Sequence, residues 1–322
     1  MEAVITTASG GPEVLRVDAV PDPQASADEI LLAVAAAGVN RADLLQRQGF
    51  YPPPAGASPI LGLECSGRVR SGAGPWQPGT PVCALLTGGG YAQRVSVPVG
   101  QVMPLPDGVD LTTAAGLPEV ACTVYSNLAM VAGLQVGEWV LIHGGTGGIG
   151  TFAIQWARAI GARVAVTAGS AAKLARCAEL GAEVLIDYRE QDFTAEMKKA
   201  TDGRGADVIL DVMGAKYLGA NLAALAVGGR LVVIGLQGGI KAELNLNTLL
   251  MKRAAIMATS LRFRPAEEKA DICRRVVADV WPLIAAGEIR PVIDRVLPLA
   301  DVAVAHQLMA DSAHVGKILL TV

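Results

Sequence analysis

The stretch WVLIHGGTGGIGTFAIQ, residues 139–155, joins an aliphatic run to a glycine-rich turn and then to a helical pattern. In a strand–turn–helix of this kind, Gly147 and Gly148 let the backbone approach a pyrophosphate, and Gly150 lets the helix pack closely on the strand. The helix N-terminus then offers unpaired N–H groups and the positive end of its dipole to the anion. Glycine-rich turns also occur for tight packing alone, but the flanking strand and helix favour a dinucleotide site.

Downstream of this turn, short aliphatic runs alternate with helical patterns. Strands are predicted at residues 163–169, 183–187, 206–212 and 229–235, with a helix at 170–181, and one long helix is predicted upstream at 111–133. Strand–helix alternation at this spacing indicates right-handed βαβ units. The fold class is therefore α/β, with a doubly wound parallel Rossmann sheet over residues 122–261.

The first third of the chain has a different pattern. Aliphatic runs at 29–40, 60–69 and 79–86 are separated by proline and glycine clusters, and only residues 41–48 form a helical pattern. Short strands separated by proline and glycine clusters are typical of a small, mainly antiparallel, β-barrel-like domain. The tail after residue 261, a helix and a terminal strand, is too short to fold alone. We therefore expect a discontinuous catalytic domain made of residues 1–121 and 262–322.

Composition narrows the function classes. The 322 residues suit two domains, and 52% hydrophobic with only 4% aromatic residues indicates aliphatic cores. A net charge of −3 without a basic run argues against nucleic-acid or membrane partners. The start lacks a leader pattern and no apolar run is long enough for a membrane span, so a cytoplasmic location is expected. Five dispersed cysteines without a CxxC pair predict buried thiols rather than disulfides or a zinc knuckle.

The residues after the second strand of the predicted Rossmann sheet bear on the choice of dinucleotide. NAD-specific folds place an acid there for the ribose 2′-hydroxyl, whereas this chain has Ser170 and, one helical turn on, Lys173. A hydroxyl and an ammonium suit a 2′-phosphate, so NADPH is favoured over NADH. Alternatively, Ser170 caps the helix and Lys173 is solvated, and both interpretations can hold together.

Six motifs occur in order along nearly the whole chain. They are GVNRAD (38–43), QGFYP (48–52), GLE (62–64), HGGTGGIG (143–150), TAGSAAK (167–173) and GLQGG (235–239). With them the chain resembles the zinc-independent quinone oxidoreductases of the medium-chain dehydrogenase/reductase superfamily. The nearest branch looks like the p53-inducible quinone reductase-like group, with ζ-crystallin a more distant relative. Gly144 stands where the family often has alanine, a harmless departure.

The resemblance implies a GroES-like catalytic domain and a set of site residues. Asn40-Arg41 and Leu63 stand where zinc-dependent relatives have cysteine and histidine, so no metal ligands are expected. The implied dinucleotide contacts are Thr146, Gly147, Gly148 and Ile149 for the pyrophosphate, Gly169, Ser170, Lys173 and Tyr188 for the ribose phosphate, and Met213, Gly235, Leu236, Phe263 and Lys317 for the nicotinamide end.

Asn40 and Tyr51 are the expected catalytic residues. As hydrogen-bond donors they would orient the acceptor carbonyl and stabilise the developing negative charge. The alternative interpretations are that Asn40 caps the 41–48 helix and that Tyr51 is a loop aromatic packed on residues 52–54. Glu64 is expected to be structural and paired with Arg41. His143 is expected to be a hydrogen-bonded core residue rather than a base.

The resemblance implies an NADPH-dependent quinone reductase acting without zinc. Two alternatives remain open, namely reduction of the activated double bond of enals or enones, and a non-catalytic NADPH-binding structural or RNA-associating role. The apolar segment 245–261 follows a predicted edge strand, and such an edge needs covering. Proteins of the family that the chain resembles cover this edge by two-fold pairing, so the resemblance implies a homodimer.

Overall fold

The computed structural model describes residues 1–72 and 74–322. It divides into two compact units. The first comprises Met1–Cys122, Leu261–Gly287 and Pro291–Val322, and the second comprises Thr123–Ser260 and Glu288–Arg290.

Strands are numbered in chain order. They are β1 (Glu2–Thr6), β2 (Leu15–Ala19), β3 (Glu29–Gly38), β4 (Glu64–Gly72), β5 (Pro81–Leu85), β6 (Arg94–Pro98), β7 (Val102–Pro104), β8 (Trp139–His143), β9 (Arg163–Ala168), β10 (Val184–Asp187), β11 (Ala206–Asp211), β12 (Leu225–Val233), β13 (Ala255–Ala258), β14 (Ile293–Pro298) and β15 (Lys317–Thr321).

The α-helices are numbered in the same way. They are α1 (Arg41–Arg47), α2 (Leu111–Ala114), α3 (Pro118–Val124), α4 (Gly148–Ala159), α5 (Ala171–Glu179), α6 (Phe193–Ala200), α7 (Leu218–Ala224), α8 (Leu246–Lys252), α9 (Ala266–Asp279), α10 (Trp281–Ala285) and α11 (Val302–Ala310). Across the described residues, no helix is both long enough and apolar enough to cross a bilayer.

The second unit contains a six-stranded sheet in the order β10-β9-β8-β11-β12-β13. Every neighbouring pair is parallel, which confirms the doubly wound Rossmann prediction. All five residues of β8 are buried, as expected of a central strand covered on both faces. The strand order reverses between β8 and β11. In sheets of this kind ligands bind outside the carboxyl ends of the strands at such a reversal.

The single helix predicted over residues 111–133 is wrong. The structure has α2, a break, α3 and then a π-helix over Tyr125–Val131. Pro118 explains the break because its ring disfavours helical geometry at Leu117 and it has no N–H to continue the helical hydrogen bonds.

The first unit contains a seven-stranded sheet in the order β14-β15-β3-β4-β5-β7, with β6 also paired to β3. All pairs are antiparallel except β14–β15, so the mainly antiparallel prediction is confirmed. The C-terminal strand lies beside β3 with Leu319 opposite Gly38. Strand β3 buries Ile30, Leu32 and Val34 in the core at alternate positions, the period that a half-buried strand requires.

All five cysteines are buried and free, as predicted. Four of them, Cys65, Cys83, Cys122 and Cys273, lie in the first unit, and Cys177 lies in the second. The Sγ atoms of Cys122 and Cys273 are 3.9 Å apart.

Candidate active site

The glycine loop between β8 and α4 fits a pyrophosphate. A Cβ on Gly150 would lie 2.3 Å from the Gly144 carbonyl oxygen, so close packing of α4 on the loop requires glycine there. At Gly147, which precedes α4, a Cβ would meet only that same oxygen at an ordinary 3.7 Å. Protein packing therefore leaves the space beside Gly147 open. That space lies at the N-terminus of a 12-residue helix, where an anion is favoured.

His143 ends β8 and is buried beneath this loop. Its Nδ1 lies 3.0 Å from Thr167 Oγ1 and its Nε2 lies 2.8 Å from Asn221 Oδ1. Burial lowers the pKa of His143 to about 4, so the imidazole is neutral at physiological pH. The interpretation as a hydrogen-bonded core histidine is confirmed, whereas its hydrogen-bond partners were not anticipated.

The residues expected at the ribose phosphate lie together at the ends of β9 and β10. Ser170 caps α5, since its Oγ accepts a hydrogen bond from the Lys173 N–H at 3.4 Å. As the cap uses the hydroxyl as an acceptor, its O–H can still donate. Because β10 pairs with β9, the Tyr188 hydroxyl lies against Gly169, where a Cβ would approach it to 2.6 Å. Tyr188 is 46% exposed, so one face of this cluster is open.

A third group of expected residues surrounds the turn after β11. The buried carboxylate of Asp211 accepts hydrogen bonds from the N–H groups of Met213 at 2.7 Å and Gly214 at 3.0 Å. The Met213 carbonyl in turn accepts from the Gly238 N–H at 2.7 Å. A Cβ on Gly235 would lie 2.8 Å from the Val212 oxygen. Asp211 was missed by the sequence reasoning, although an acid ending a buried strand before a glycine turn is a usable signal.

In the first unit, Asn40 and Lys317 converge on Glu64. The Lys317 Nζ lies 2.5 Å from Glu64 Oε1 and 2.7 Å from Asn40 Oδ1. The Asn40 Nδ2 donates to the same Glu64 oxygen at 2.9 Å and makes a longer contact of 3.4 Å with the Gly38 carbonyl. Glu64 is fully buried and Lys317 is nearly so. The ion pair is therefore screened from water, and the Asn40 amide is oriented by both partners.

The expected pairing of Glu64 with Arg41 is wrong. Arg41 donates instead to the Met309 carbonyl at 3.0 Å. Strands β4 and β15 both pair with β3, and Glu64 and Lys317 are their first residues. This strand arrangement, which is not visible in the sequence, brings together two residues from distant parts of the chain.

Asn40 also occupies the position before α1, as the capping interpretation expected. The Asp43 carboxylate holds the start of this helix in place. It accepts hydrogen bonds from the Asn40 N–H at 2.8 Å, the Gly62 N–H at 3.1 Å and the Tyr91 hydroxyl at 2.9 Å. Burial, the largest influence, raises the pKa of Asp43 to about 6. The backbone of Asn40 thus starts the helix, while its side chain faces the ion pair.

Tyr51 packs against Phe263 rather than only against its neighbouring prolines. The two ring centroids are 5.3 Å apart in an edge-to-face arrangement, and the Arg262 guanidinium lies 5.4 Å from the Tyr51 ring centroid. Arg262 is held by the Thr87 carbonyl at 2.8 Å and by Gln46 Oε1 at 2.7 Å. No sequence pattern pointed to Arg262, because its partners are far away along the chain.

The structure thus groups the expected residues within each unit. The second unit holds the glycine loop, the Ser170–Lys173–Tyr188 group and the Met213–Gly235–Leu236 turn, and the first holds the Asn40–Lys317 and Tyr51–Phe263 pairs. Within the described part of the chain, no three histidine, cysteine, aspartate or glutamate side chains are arranged to hold a metal ion.

A parallel sheet with a glycine loop at its order reversal, together with a mainly antiparallel unit, defines the class of two-domain nicotinamide-dependent dehydrogenases and reductases. Two family models match: "alcohol dehydrogenase GroES-like domain" over residues 26–107 and "zinc-binding dehydrogenase" over residues 148–276. Quinone oxidoreductase of Rattus norvegicus is 31% identical over 99% of this chain and 97% of its own length. The chain belongs to the medium-chain dehydrogenase/reductase superfamily, as a quinone oxidoreductase-like member.

Solved structures agree with this assignment. Escherichia coli quinone oxidoreductase complexed with NADPH has a TM-score of 0.91 and 28% identity, with both chains fully covered. The mycobacterial protein Rv1454c complexed with NADPH has a TM-score of 0.91 and 30% identity, again with both chains fully covered. The chain is also 31% identical to a phenolphthiocerol/phthiocerol polyketide synthase subunit of Mycobacterium tuberculosis, but it spans only 14% of that protein's length.

Proposed function

We propose that this protein is an NADPH-dependent quinone reductase. The observation that carries the proposal is the glycine loop, open beside Gly147 and followed at the end of β9 by Ser170 and Lys173 instead of an acid. A hydroxyl donor and an ammonium suit the 2′-phosphate that distinguishes NADPH from NADH. Membership of the quinone oxidoreductase-like family supports the same reaction class.

We propose which residues hold NADPH. The backbone of Thr146, Gly147, Gly148 and Ile149 would take the pyrophosphate, and Gly169, Ser170, Lys173 and Tyr188 the ribose phosphate. Met213, Gly235, Leu236, Phe263 and Lys317 would contact the nicotinamide end. When bound, NADPH supplies a hydride to a flat electrophile.

The substrate side is proposed to use Asn40 and Tyr51. One Asn40 N–H is held at 2.9 Å by Glu64, whereas the other has only the longer 3.4 Å contact with the Gly38 carbonyl. That second N–H is the one available to a quinone carbonyl. The Tyr51 hydroxyl donates to the acceptor oxygen, and the proton that completes the hydroquinone comes from Tyr51 or from water. The exposed ring of Phe263 adds an apolar face for a flat ring.

A homodimer is proposed through the β13 edge. In the described part of the chain β13 pairs only with β12, so its other edge is free to pair. In the segment that precedes β13 along the chain, the side chains of Ile240, Leu246, Leu250 and Met251 are each more than two-thirds exposed. Light scattering is expected to give twice the mass of one chain. A monomeric mass for the wild type, or a dimeric mass that stays unchanged when Leu250 is replaced by glutamate, would contradict the pairing.

The reaction is tested by following NADPH absorbance with phenanthrenequinone, an unhindered ortho-quinone, beside NADH and beside an enal. Rapid loss of NADPH with the quinone and slow loss of NADH is the expected result. Equal rates with both dinucleotides would contradict the role of Ser170 and Lys173. Turnover of the enal alone would assign the protein to double-bond reduction, and tight NADPH binding without any turnover would favour the non-catalytic role.

A further inference from the structure

We propose that His143, Thr167 and Asn221 are positioning residues for the dinucleotide, which hold the glycine loop in the shape that accepts a pyrophosphate. The three side chains form a hydrogen-bonded chain that runs from the core of the second unit to the loop backbone. The inference rests on the proposed NADPH function and names residues that act through the loop rather than by touching the cofactor.

A neutral imidazole carries one hydrogen, and the hydrogen-bond partners of His143 determine which ring nitrogen holds it. Asn221 Oδ1 can only accept, so the hydrogen of His143 is on Nε2. Nδ1 is then an acceptor, and the Thr167 hydroxyl donates to it at 3.0 Å. The Thr167 oxygen therefore turns its lone pairs towards the loop. Phe193 and Tyr217 pack edge-on against the imidazole, with ring centroids 4.8 and 4.9 Å away, and restrict its rotation.

Thr167 contacts the loop through two consecutive peptide groups. Its hydroxyl oxygen lies 3.4 Å from the Gly144 N–H, and its carbonyl accepts from the Gly145 N–H at 3.0 Å. Gly144 has a φ of +74°, a conformation that glycine adopts without strain, so an external hold on its peptide is needed to select it.

The peptide group between Gly144 and Gly145, whose N–H donates to the Thr167 carbonyl, in turn sets the residues that face the anion. Its carbonyl accepts from the Gly147 N–H at 3.1 Å and lies against Gly150, where a Cβ would approach it to 2.3 Å. A rotation of this peptide would therefore move Gly147 and the first turn of α4 together. Thr167 thus holds the peptide group after Gly144 with its carbonyl and the one before Gly144 with its hydroxyl, so the backbone angles of Gly144 and the open space beside Gly147 depend on both contacts and, through the hydroxyl, on His143.

A purely structural role accounts less well for the same residues. A polar chain in the interior of a parallel sheet contributes little stability over a well-packed apolar set, and an unpaired buried donor costs free energy. Asn221 is fully buried, and its Nδ2 has no hydrogen-bond partner among residues 1–72 and 74–322. The hydrogen-bonded side chains are thus not arranged for stability alone. They end at the glycine loop that is proposed to bind the pyrophosphate.

The test compares three variants of the full-length protein. Thr167→Val removes the hydroxyl and keeps the branched shape, and Thr167→Ser restores the hydroxyl. The matched control is Thr201→Val in the same unit, where the buried hydroxyl donates to the Met197 carbonyl at 2.6 Å and accepts from the Gly205 N–H at 2.7 Å. NADPH binding is measured by calorimetry and stability by thermal unfolding.

We expect Thr167→Val to raise the NADPH dissociation constant about threefold to tenfold, because it removes the 3.0 Å hydrogen bond with His143 and the longer 3.4 Å contact with the Gly144 N–H. Thr167→Ser should bind within about twofold of the wild type. Thr201→Val should lose stability yet bind NADPH normally. Unchanged affinity in Thr167→Val, or an equal loss in Thr201→Val, would overturn the positioning role. A wild-type protein that binds no NADPH would instead overturn the proposed function itself.

A measurement on the unmodified protein covers the case in which Thr167→Val does not fold. Nitrogen chemical shifts of the His143 ring report its tautomer. Hydrogen on Nε2, with an Nδ1 shift that changes when NADPH is added, supports the proposal. Hydrogen on Nδ1, or an Nδ1 shift indifferent to NADPH, would overturn it.

Discussion

The two units bury polar groups of different kinds. In the first, the Glu64 carboxylate and the Lys317 ammonium lie 2.5 Å apart with almost no exposure to water. In the second, Asn221, His143 and Thr167 form a buried chain without a net charge, because burial keeps the imidazole neutral. Both networks end at residues proposed for the site, Asn40 in the first unit and the glycine loop in the second.

The difference follows from what each network supports. A buried ion pair is rigid because neither ion can leave its partner without a large desolvation cost, which suits the orientation of a neutral quinone by the Asn40 amide. A pyrophosphate already carries negative charge, and the N-terminus of α4 supplies the complementary potential. A neutral chain can set the loop shape there without altering that field.

Breaking the ion pair is expected to have the largest effect. Lys317→Met leaves the buried Glu64 carboxylate without its counter-ion and should lower the free energy of unfolding by about 3–5 kcal/mol. Chemical denaturation measures this change, and adding Glu64→Gln should restore much of the loss. The control, Arg158→Met, opens an exposed pair with Glu288 and should cost far less. Equal losses of unfolding free energy in the two single variants would show that the buried ion pair contributes no more stability than the exposed one.

Reversing the charge beside the proposed ribose phosphate comes next. Lys173→Glu should lower kcat/KM for NADPH about a hundredfold and leave NADH nearly unaffected, because only the 2′-phosphate is repelled. Steady-state kinetics with both dinucleotides measure the ratio. The matched control is Arg176→Glu, one turn further along α5, which should change neither value by much. A parallel fall for NADH would show that the lysine serves the fold instead.

Lowering the pH should change the stability of the two units by different amounts. In the second unit, His143 has its pKa lowered to about 4, so its contribution to stability is complete above about pH 6.5 and is lost as the pH falls towards 4. In the first unit, burial lowers the pKa of His306 to about 3, so His306 also loses its contribution to stability as the pH falls. Burial raises the pKa of Asp43 to about 6. Folded Asp43 takes up a proton before the unfolded chain does, so its effect opposes that of His306.

Burial also raises the pKa of Glu119 in the first unit to about 8, which acts in the same direction as Asp43, and raises the pKa of Asp211 in the second unit, which offsets part of the His143 effect. Between pH 6 and 5 the second unit should therefore lose more stability than the first. Amide hydrogen exchange, corrected for intrinsic rates, should show protection in β8 and β9 falling relative to β3 and β4. In His143→Gln this difference should become smaller, because the second unit no longer contains the histidine that is protonated on unfolding. Faster exchange in the first unit on acidification would contradict the assignment of opposing groups.

The smallest expected effect concerns Tyr51. Tyr51→Phe keeps the ring against Phe263 and Arg262 and removes only the hydroxyl, so kcat/KM for a quinone should fall about fivefold to tenfold with the KM for NADPH unchanged. Tyr217→Phe, in the second unit, serves as the control and should retain quinone turnover. An unaltered Tyr51→Phe enzyme would leave ring packing as the function of this residue.

The sequence predicted the second unit better than the first for a physical reason. The strand at 139–143, its glycine loop and α4 are contiguous, so their geometry follows from local pattern, and the Ser170 cap is local as well. In the first unit the decisive contacts join distant residues. Glu64 meets Lys317 only because β4 and β15 share β3 as a neighbour, and the nearer Arg41 was the wrong partner.

The same principle explains which site residues were missed. Arg262 and Gln46 are separated by 216 positions, and no periodicity connects them. Thr167 stands in the TAGSAAK motif and Asn221 in none, and the contacts of both with His143 depend on how β9 and α7 pack beside β8. The family and the α/β fold were predicted and are confirmed. The roles of Asn40 and Tyr51 stay predictions.

Because every cysteine is buried, its thiol can be used to detect local unfolding of the structure around it. Alkylating reagents cannot reach a buried thiol, so the rate at which each cysteine is labelled measures how often its surroundings unfold. Because Cys177 belongs to the second unit and the other four belong to the first, mass spectrometry of alkylated peptides would time the opening of both units in one unmodified protein.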